Sequence, residues 1–203
     1  VASITDPWAL REALAGAETL IHLAATPDDD DFHTQLLPNN LVGVYEVIEA
    51  ARASGVRRYV LASTGQAVWW QRLRGPTPIS ADAPPTPRGW YACAKVFLEA
   101  VGRMVCGADG ATVITVRLGW CPRTPEQARE IAASPWAQAV YLSPGDAGRF
   151  FACAAEAPLD GQHRMAFASS RPAGDPVYDL QPARQLGFVP QDTWPTGAEE
   201  MLA

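Results

Sequence analysis

The sequence predicts an α/β fold, an open parallel sheet doubly wound with helices on both faces, and three observations carry that expectation. Residues 19–118 run strand, helix, strand, helix, strand, the order that gives parallel pairing through helical crossovers. The apolar fraction is 48%, ordinary for a globular chain, and 203 residues are enough for one substantial core. Beyond Gly119 the texture changes, with frequent Pro, Gly and Trp and shorter apolar runs. That shift marks residues 120–203 as a small C-terminal lobe of the same unit as residues 1–119.

Each element has its own signal. Asp6-Pro7 reads as a helix cap with proline in the first turn, opening a helix over 8–14. Residues 19–25 are almost continuously apolar, which suits a strand buried on both faces. The four aspartates at 28–31 read as a solvated loop or helix start. Leu41, Val44, Tyr45, Val47, Ile48 and Ala51 form a broad apolar stripe at helical spacing, so a helix is expected over 41–53, closed by Gly55. Residues 58–62 read as a buried strand that ends in the polar pair Ser63-Thr64. Repeated prolines withhold backbone donors from 75–87 and make it a loop. A helix over 90–105 and a β-branched strand over 112–118 follow, then shorter helices at 125–133 and 146–156 and a strand near 165–168.

Charge and composition narrow the function classes. The net charge is −6 and no basic run appears, which argues against nucleic acid or an anionic membrane as partner. No segment is apolar and long enough to span a bilayer, and the first residues lack the pattern of a secretory signal. Cys93, Cys106, Cys121 and Cys153 are scattered without ligand spacing, so reduced thiols, a cytoplasmic location and no metal are expected. Of the sixteen basic residues only Lys95 is a lysine, which suggests a role there that a guanidinium cannot fill.

Tyr91 and Lys95 stand four residues apart and share one face of their helix. A nearby ammonium favours phenolate, so Lys95 is expected to lower the pKa of Tyr91 and suit it to exchange a proton with an alcohol. Ser63-Thr64 sits at the carboxyl end of a strand, where open α/β sheets bind their ligands, and its hydroxyls can hold a substrate oxygen.

His-Leu-Ala-Ala at 22–25, Asn-Leu-Val-Gly at 40–43, Val-Leu-Ala-Ser-Thr at 60–64, Tyr91 with Lys95, and Arg-Leu-Gly at 117–119 occur in this order. In that combination the chain resembles the NAD-dependent epimerase/dehydratase family of extended short-chain dehydrogenases/reductases. The resemblance implies a Rossmann-like domain and a catalytic triad of Thr64, Tyr91 and Lys95. It also implies contacts to NAD or NADP, with NAD favoured, from Ser3, Ile4, Leu23, Ala24, Ala25, Asn40, Ala62, Tyr91, Lys95 and Leu118. A small-molecule substrate, a sugar, uronate or similar secondary alcohol, would meet Thr64, Gly65, Gln66, Trp120 and Arg129. A homodimer through the helices that carry Leu41 and Tyr91 is a further implication.

Within the family the layout is most similar to the uronate dehydrogenases, where Arg129 would match the arginine that clasps the sugar carboxylate. Gly65-Gln66 replaces an Asn-His pair of that branch, and Trp120 and Pro27 stand where it has serines, which points to a less polar or differently shaped ligand. The family's glycine-rich pyrophosphate turn has no match in the chain. At about 30 residues per unit it would fall on the order of 60 residues before Val1. A piece of a longer enzyme, with a sheet lacking its first strands, is therefore expected. The other readings are a nucleotide-sugar epimerase or dehydratase, and a non-catalytic dinucleotide-sensing or partner-binding member.

Overall fold

In the computed structural model, which describes residues 3–202, four strands form one sheet. They are β1 (Thr19–His22), β2 (Arg58–Thr64), β3 (Thr112–Leu118) and β4 (His163–Ala168), all parallel and in the order β1-β2-β3-β4. Thr64 pairs with Leu118 and Leu118 with Ala168, so three strands end level and open their carboxyl ends on one rim. The strand expected near 165–168 is β4, and it completes this sheet beside β3.

Helices cover both faces, as the alternation of side chains along the strands requires. Tyr59, Leu61 and Val113 face a core built with Leu10 and Leu14 of α1 (Pro7–Leu14), Val44, Val47 and Ile48 of α2 (Gly43–Ala53), and Leu98 and Val105. Val60, Ile114 and Val116 face the opposite core with Phe150, Ala154, Leu186 and Phe188. A third cluster joins Val68, Ile79, Phe167 and Tyr178 at the rim, where Phe167 and Tyr178 stack at 4.2 Å. The remaining helices are α3 (Gln71–Arg74), α4 (Trp90–Asp109), α5 (Pro125–Ala132), α6 (Pro135–Ala139), α7 (Pro144–Glu156), α8 (Gln181–Gln185) and α9 (Glu199–Leu202).

Two expectations are corrected. The strand at 19–25 is not buried on both faces. It is shorter, pairs with β2 alone among the described residues, and leaves Ile21 40% and Leu23 54% exposed. The helix expected to begin at 41 is already running at Phe32, in a π-helical stretch over Phe32–Val42 that leads straight into α2. Asp31 starts it by accepting from the Thr34 backbone at 2.8 Å, and fully buried Leu36 anchors it. No helix of the described residues is long and apolar enough to cross a membrane.

Candidate active site

The rim where β2 and β3 end opens into a cavity of about 440 Å³. Thr64, Gly65, Gln66, Tyr91, Leu118 and Trp120, all anticipated from the sequence, line it. The local chain path follows from small interactions. Thr64 Oγ1 accepts from the Gln66 backbone at 3.2 Å and starts a 3₁₀ turn over Gly65–Val68. Position 65 must be glycine, because a Cβ there would lie 2.2 Å from the Tyr178 hydroxyl oxygen.

Tyr91 comes from the first turn of α4, and that turn is held from a distance. Gly89 carries no capping side chain, and Asp29 of the loop after β1 accepts from the Tyr91 backbone at 2.8 Å. Further along α4, Glu99 is fully buried and pairs with Arg117 of β3 at 2.8 Å while accepting from Ser63 at 2.7 Å. Arg117 also donates to the carbonyls of Ala81 and Ala83, so one buried node fastens α4, β2, β3 and the proline-rich loop together.

Lys95 is buried, donates to the Ala62 carbonyl at 2.8 Å and lies 5.8 Å from the centre of the Tyr91 ring. Burial pulls its pKa down to about 8. The phenol behaves opposite to the expectation from sequence. Burial, and secondarily the Asp28 carboxylate, push Tyr91 up to about 12, while Arg123 and a hydrogen bond with Thr64 pull the other way. In the free protein Tyr91 is therefore a protonated phenol, and Lys95 spends its contact on a strand carbonyl. His22, buried beside this lysine, is held down to about 4 by burial and then by the Lys95 charge, so it is neutral near pH 7.

The residues assigned to a dinucleotide divide into two groups. Leu23 and Ala24 are exposed and Ala25 half-buried just past β1, Ala62 accepts from Lys95, and Leu118 lines the cavity. An ammonium has three donors, and Lys95 uses one of them on protein. An apolar rim beside spare donors fits a ligand that carries both hydroxyls and a flat ring. The second group begins with Asn40. Its side-chain amide is buried and clasps the backbone of Thr26 at 2.8 and 2.9 Å, which fixes the loop after β1. Ile4 packs into the first core, its Cδ1 within 2.6 Å of where a Cβ on Gly43 would stand, and exposed Ser3 bonds Thr5.

Arg129 is not brought to the cavity. It pairs with Glu126 one turn back at 2.8 Å on the outer face of α5, because its position on that helix points it to solvent. Arg123 lines the cavity instead and pairs with Asp28. The aspartate run is also more than a solvated loop, since Asp28 and Asp29 both line the cavity. Trp69, Trp136, Arg88, Gln127 and Tyr178 complete much of the wall. Trp69 and Trp136 meet edge to face at 5.1 Å, and Arg88 lies over Trp69 at 4.6 Å. No spacing rule joins these residues in sequence, and the only early signal was the abundance of tryptophan, seven in all.

Known proteins are similar to this chain in sequence and in fold. L-arabinose 1-dehydrogenase (NAD(P)(+)) of Haloferax volcanii is 31% identical, over 98% of this chain and 84% of its own length. Uronate dehydrogenase of Agrobacterium fabrum is 31% identical, over 93% of this chain and 67% of its own. The crystal structure of a glucuronic acid dehydrogenase from Chromohalobacter salexigens superposes with a TM-score of 0.79 at 26% identity, covering 98% of this chain and 71% of that one. Residues 1–121 match the model of the NAD dependent epimerase/dehydratase family, and the chain belongs to that family.

Proposed function

We propose that this protein is an NAD(P)-dependent oxidoreductase that interconverts a secondary alcohol of a sugar, uronate or similar polyol with its carbonyl. One observation carries the reading: Thr64 and Tyr91 line the same cavity at the carboxyl ends of the strands, with Lys95 one helical turn behind the phenol. The named activities of the relatives, an L-arabinose 1-dehydrogenase and uronate dehydrogenases, support it.

Thr64 orients the reacting oxygen by a hydrogen bond, and Tyr91 exchanges its proton. With its pKa at about 12 the phenol is set to donate that proton in reduction. Lys95 has donors left for ribose hydroxyls, and its positive charge favours phenolate once Tyr91 must act as a base. The nicotinamide, when bound, supplies the hydride acceptor or donor. Leu23, Ala24, Ala25, Ala62 and Leu118 form the surface we assign to it, and NAD is the favoured form.

A nucleotide-sugar epimerase or dehydratase is the weaker reading, since Gly65 and Gln66 supply no acid–base pair beside Thr64. We place the protein in the cytoplasm, where its four unpaired cysteines stay reduced, and as a homodimer across α2 and α4. Exposed Trp90, Phe97 and Met104 recur every seven residues on α4, and exposed Tyr45 lies on α2, which supports that interface.

The test is to mix the protein with NAD⁺ or NADP⁺ and a panel of L-arabinose, glucose 6-phosphate, glucuronate and galacturonate, and to follow reduced nicotinamide. Turnover of at least one sugar, with deuterium from the reacting carbon found in the reduced cofactor, is the expected result. No turnover of any panel member with either cofactor would defeat the reading.

A further inference from the structure

Three side chains from three separate segments converge on one carboxylate inside the cavity. Arg123, from the loop after β3, pairs with Asp28 Oδ2. Gln127 of α5 donates to the same oxygen at 3.4 Å, and Gln66, just after Thr64, donates to Oδ1 at 3.3 Å. All four residues line the cavity that holds Thr64 and Tyr91. Arg123 and Asp28 are each about half exposed, at 47% and 49%, so neither is locked into a core and solvent can reach both. Asp28 reaches this place with φ at 61°, a left-handed backbone that a non-glycine residue adopts at a cost.

A guanidinium and two primary amides offer only donors to this point, the donor set that binds an external carboxylate. The occupant found there belongs to the chain itself. We propose that Arg123, Gln66 and Gln127 form the binding site for a carboxylate on the substrate, and that Asp28 is a built-in competitor which fills it when no acid is bound. The site is distinct from Arg129, whose guanidinium is committed to Glu126 on the outer surface. The substrate class is then a small polyhydroxy acid, with the acid held near Gln66 and the reacting alcohol between Thr64 and Tyr91. This inference rests on the oxidoreductase reading for the alcohol, but the carboxylate site itself can be tested by binding alone.

The two partners of the ion pair have opposite roles in this scheme, and that separates it from a structural salt bridge. Binding of glucuronate to the free protein is measured by calorimetric titration, with glucose as the neutral control and glucose 6-phosphate as the alternative anion. Asp28→Asn removes the competitor, so glucuronate should bind several-fold tighter, while glucose is unaffected. Arg123→Gln removes the main donor, so glucuronate should bind at least about tenfold weaker, the equivalent of one charge-assisted hydrogen bond. Circular dichroism melts of both variants show that each is folded.

If both variants weaken glucuronate, or neither changes it, the ion pair is structural and the proposal fails. It also fails if glucose 6-phosphate gains more than glucuronate from Asp28→Asn, since the site then prefers phosphate. Opposite shifts for glucuronate without any cofactor reduction would support the carboxylate site and overturn the oxidoreductase reading. Turnover of neutral sugars with parallel shifts would do the reverse.

Discussion

At the scale of single residues, Lys95 is buried 5.8 Å from the centre of the Tyr91 ring. Tyr91 and Lys95 lie four apart on one helix, so their juxtaposition is local information. The direction of the Tyr91 shift depends on burial and on Asp28, a residue 63 positions earlier in the chain. Arg123 and Asp28 meet across 95 residues, and no periodicity reports such a contact. The price of Lys95 is measurable. Its ordinary pKa of 10.5 falls to about 8 in the folded state, so the buried ammonium costs about 3 kcal/mol at neutral pH. The folded state then binds fewer protons than the unfolded one between those two values. The penalty is full below about pH 8 and is relieved as the pH rises towards 10.5. Lys95→Met should therefore raise the melting temperature at pH 7 while abolishing turnover, and its advantage should shrink as the pH climbs through that window. An advantage that is constant with pH would mean that the lysine is not desolvated.

At the scale of elements, α4 shows where pattern reading ends. Its apolar spacing predicted a helix from residue 90, and it begins there, but its cap is Asp29, which lay in a run that looked like ordinary solvated charge. Asp29→Ala should cost about 1 kcal/mol, the usual worth of a cap, and should lower kcat more than it changes KM because the freed turn carries Tyr91. Denaturant unfolding beside steady-state kinetics checks both. Glu99→Ala should be far more severe, about 3–5 kcal/mol, because it strands the buried Arg117 charge. Denaturant unfolding reads this directly, and replacing Arg117 with Met in the same chain should recover part of the loss. The π-helical stretch before α2 was hidden for a related reason. Pro38 is a helix breaker and Asn39 and Asn40 are weak helix formers in isolation, and the clasp of Asn40 on Thr26 and the burial of Leu36 help keep the chain wound through them.

At the scale of the whole molecule, the sheet was legible because cores on both faces make β2 and β3 near-continuous buried runs. β1 pairs with β2 alone among the described residues, so its apolar run leaves one edge open on the side where the sheet's first strands are expected from the sequence. The proposed dimer belongs to this scale as well. Sedimentation should show two copies, and Phe97→Glu combined with Met104→Glu should give a monomer, since both side chains lie exposed on one stripe of α4. A monomeric parent protein would remove that interface.

The central claim is that Tyr91 exchanges a proton with a sugar alcohol in a nicotinamide-dependent reaction, and the rate of cofactor reduction by Tyr91→Phe tests it most directly. Removal of only the phenolic oxygen should lower kcat/KM by about 10²–10⁴-fold. Dissociation constants for cofactor and sugar should hold within about twofold, less than 0.5 kcal/mol. A variant that keeps the full rate would contradict the account.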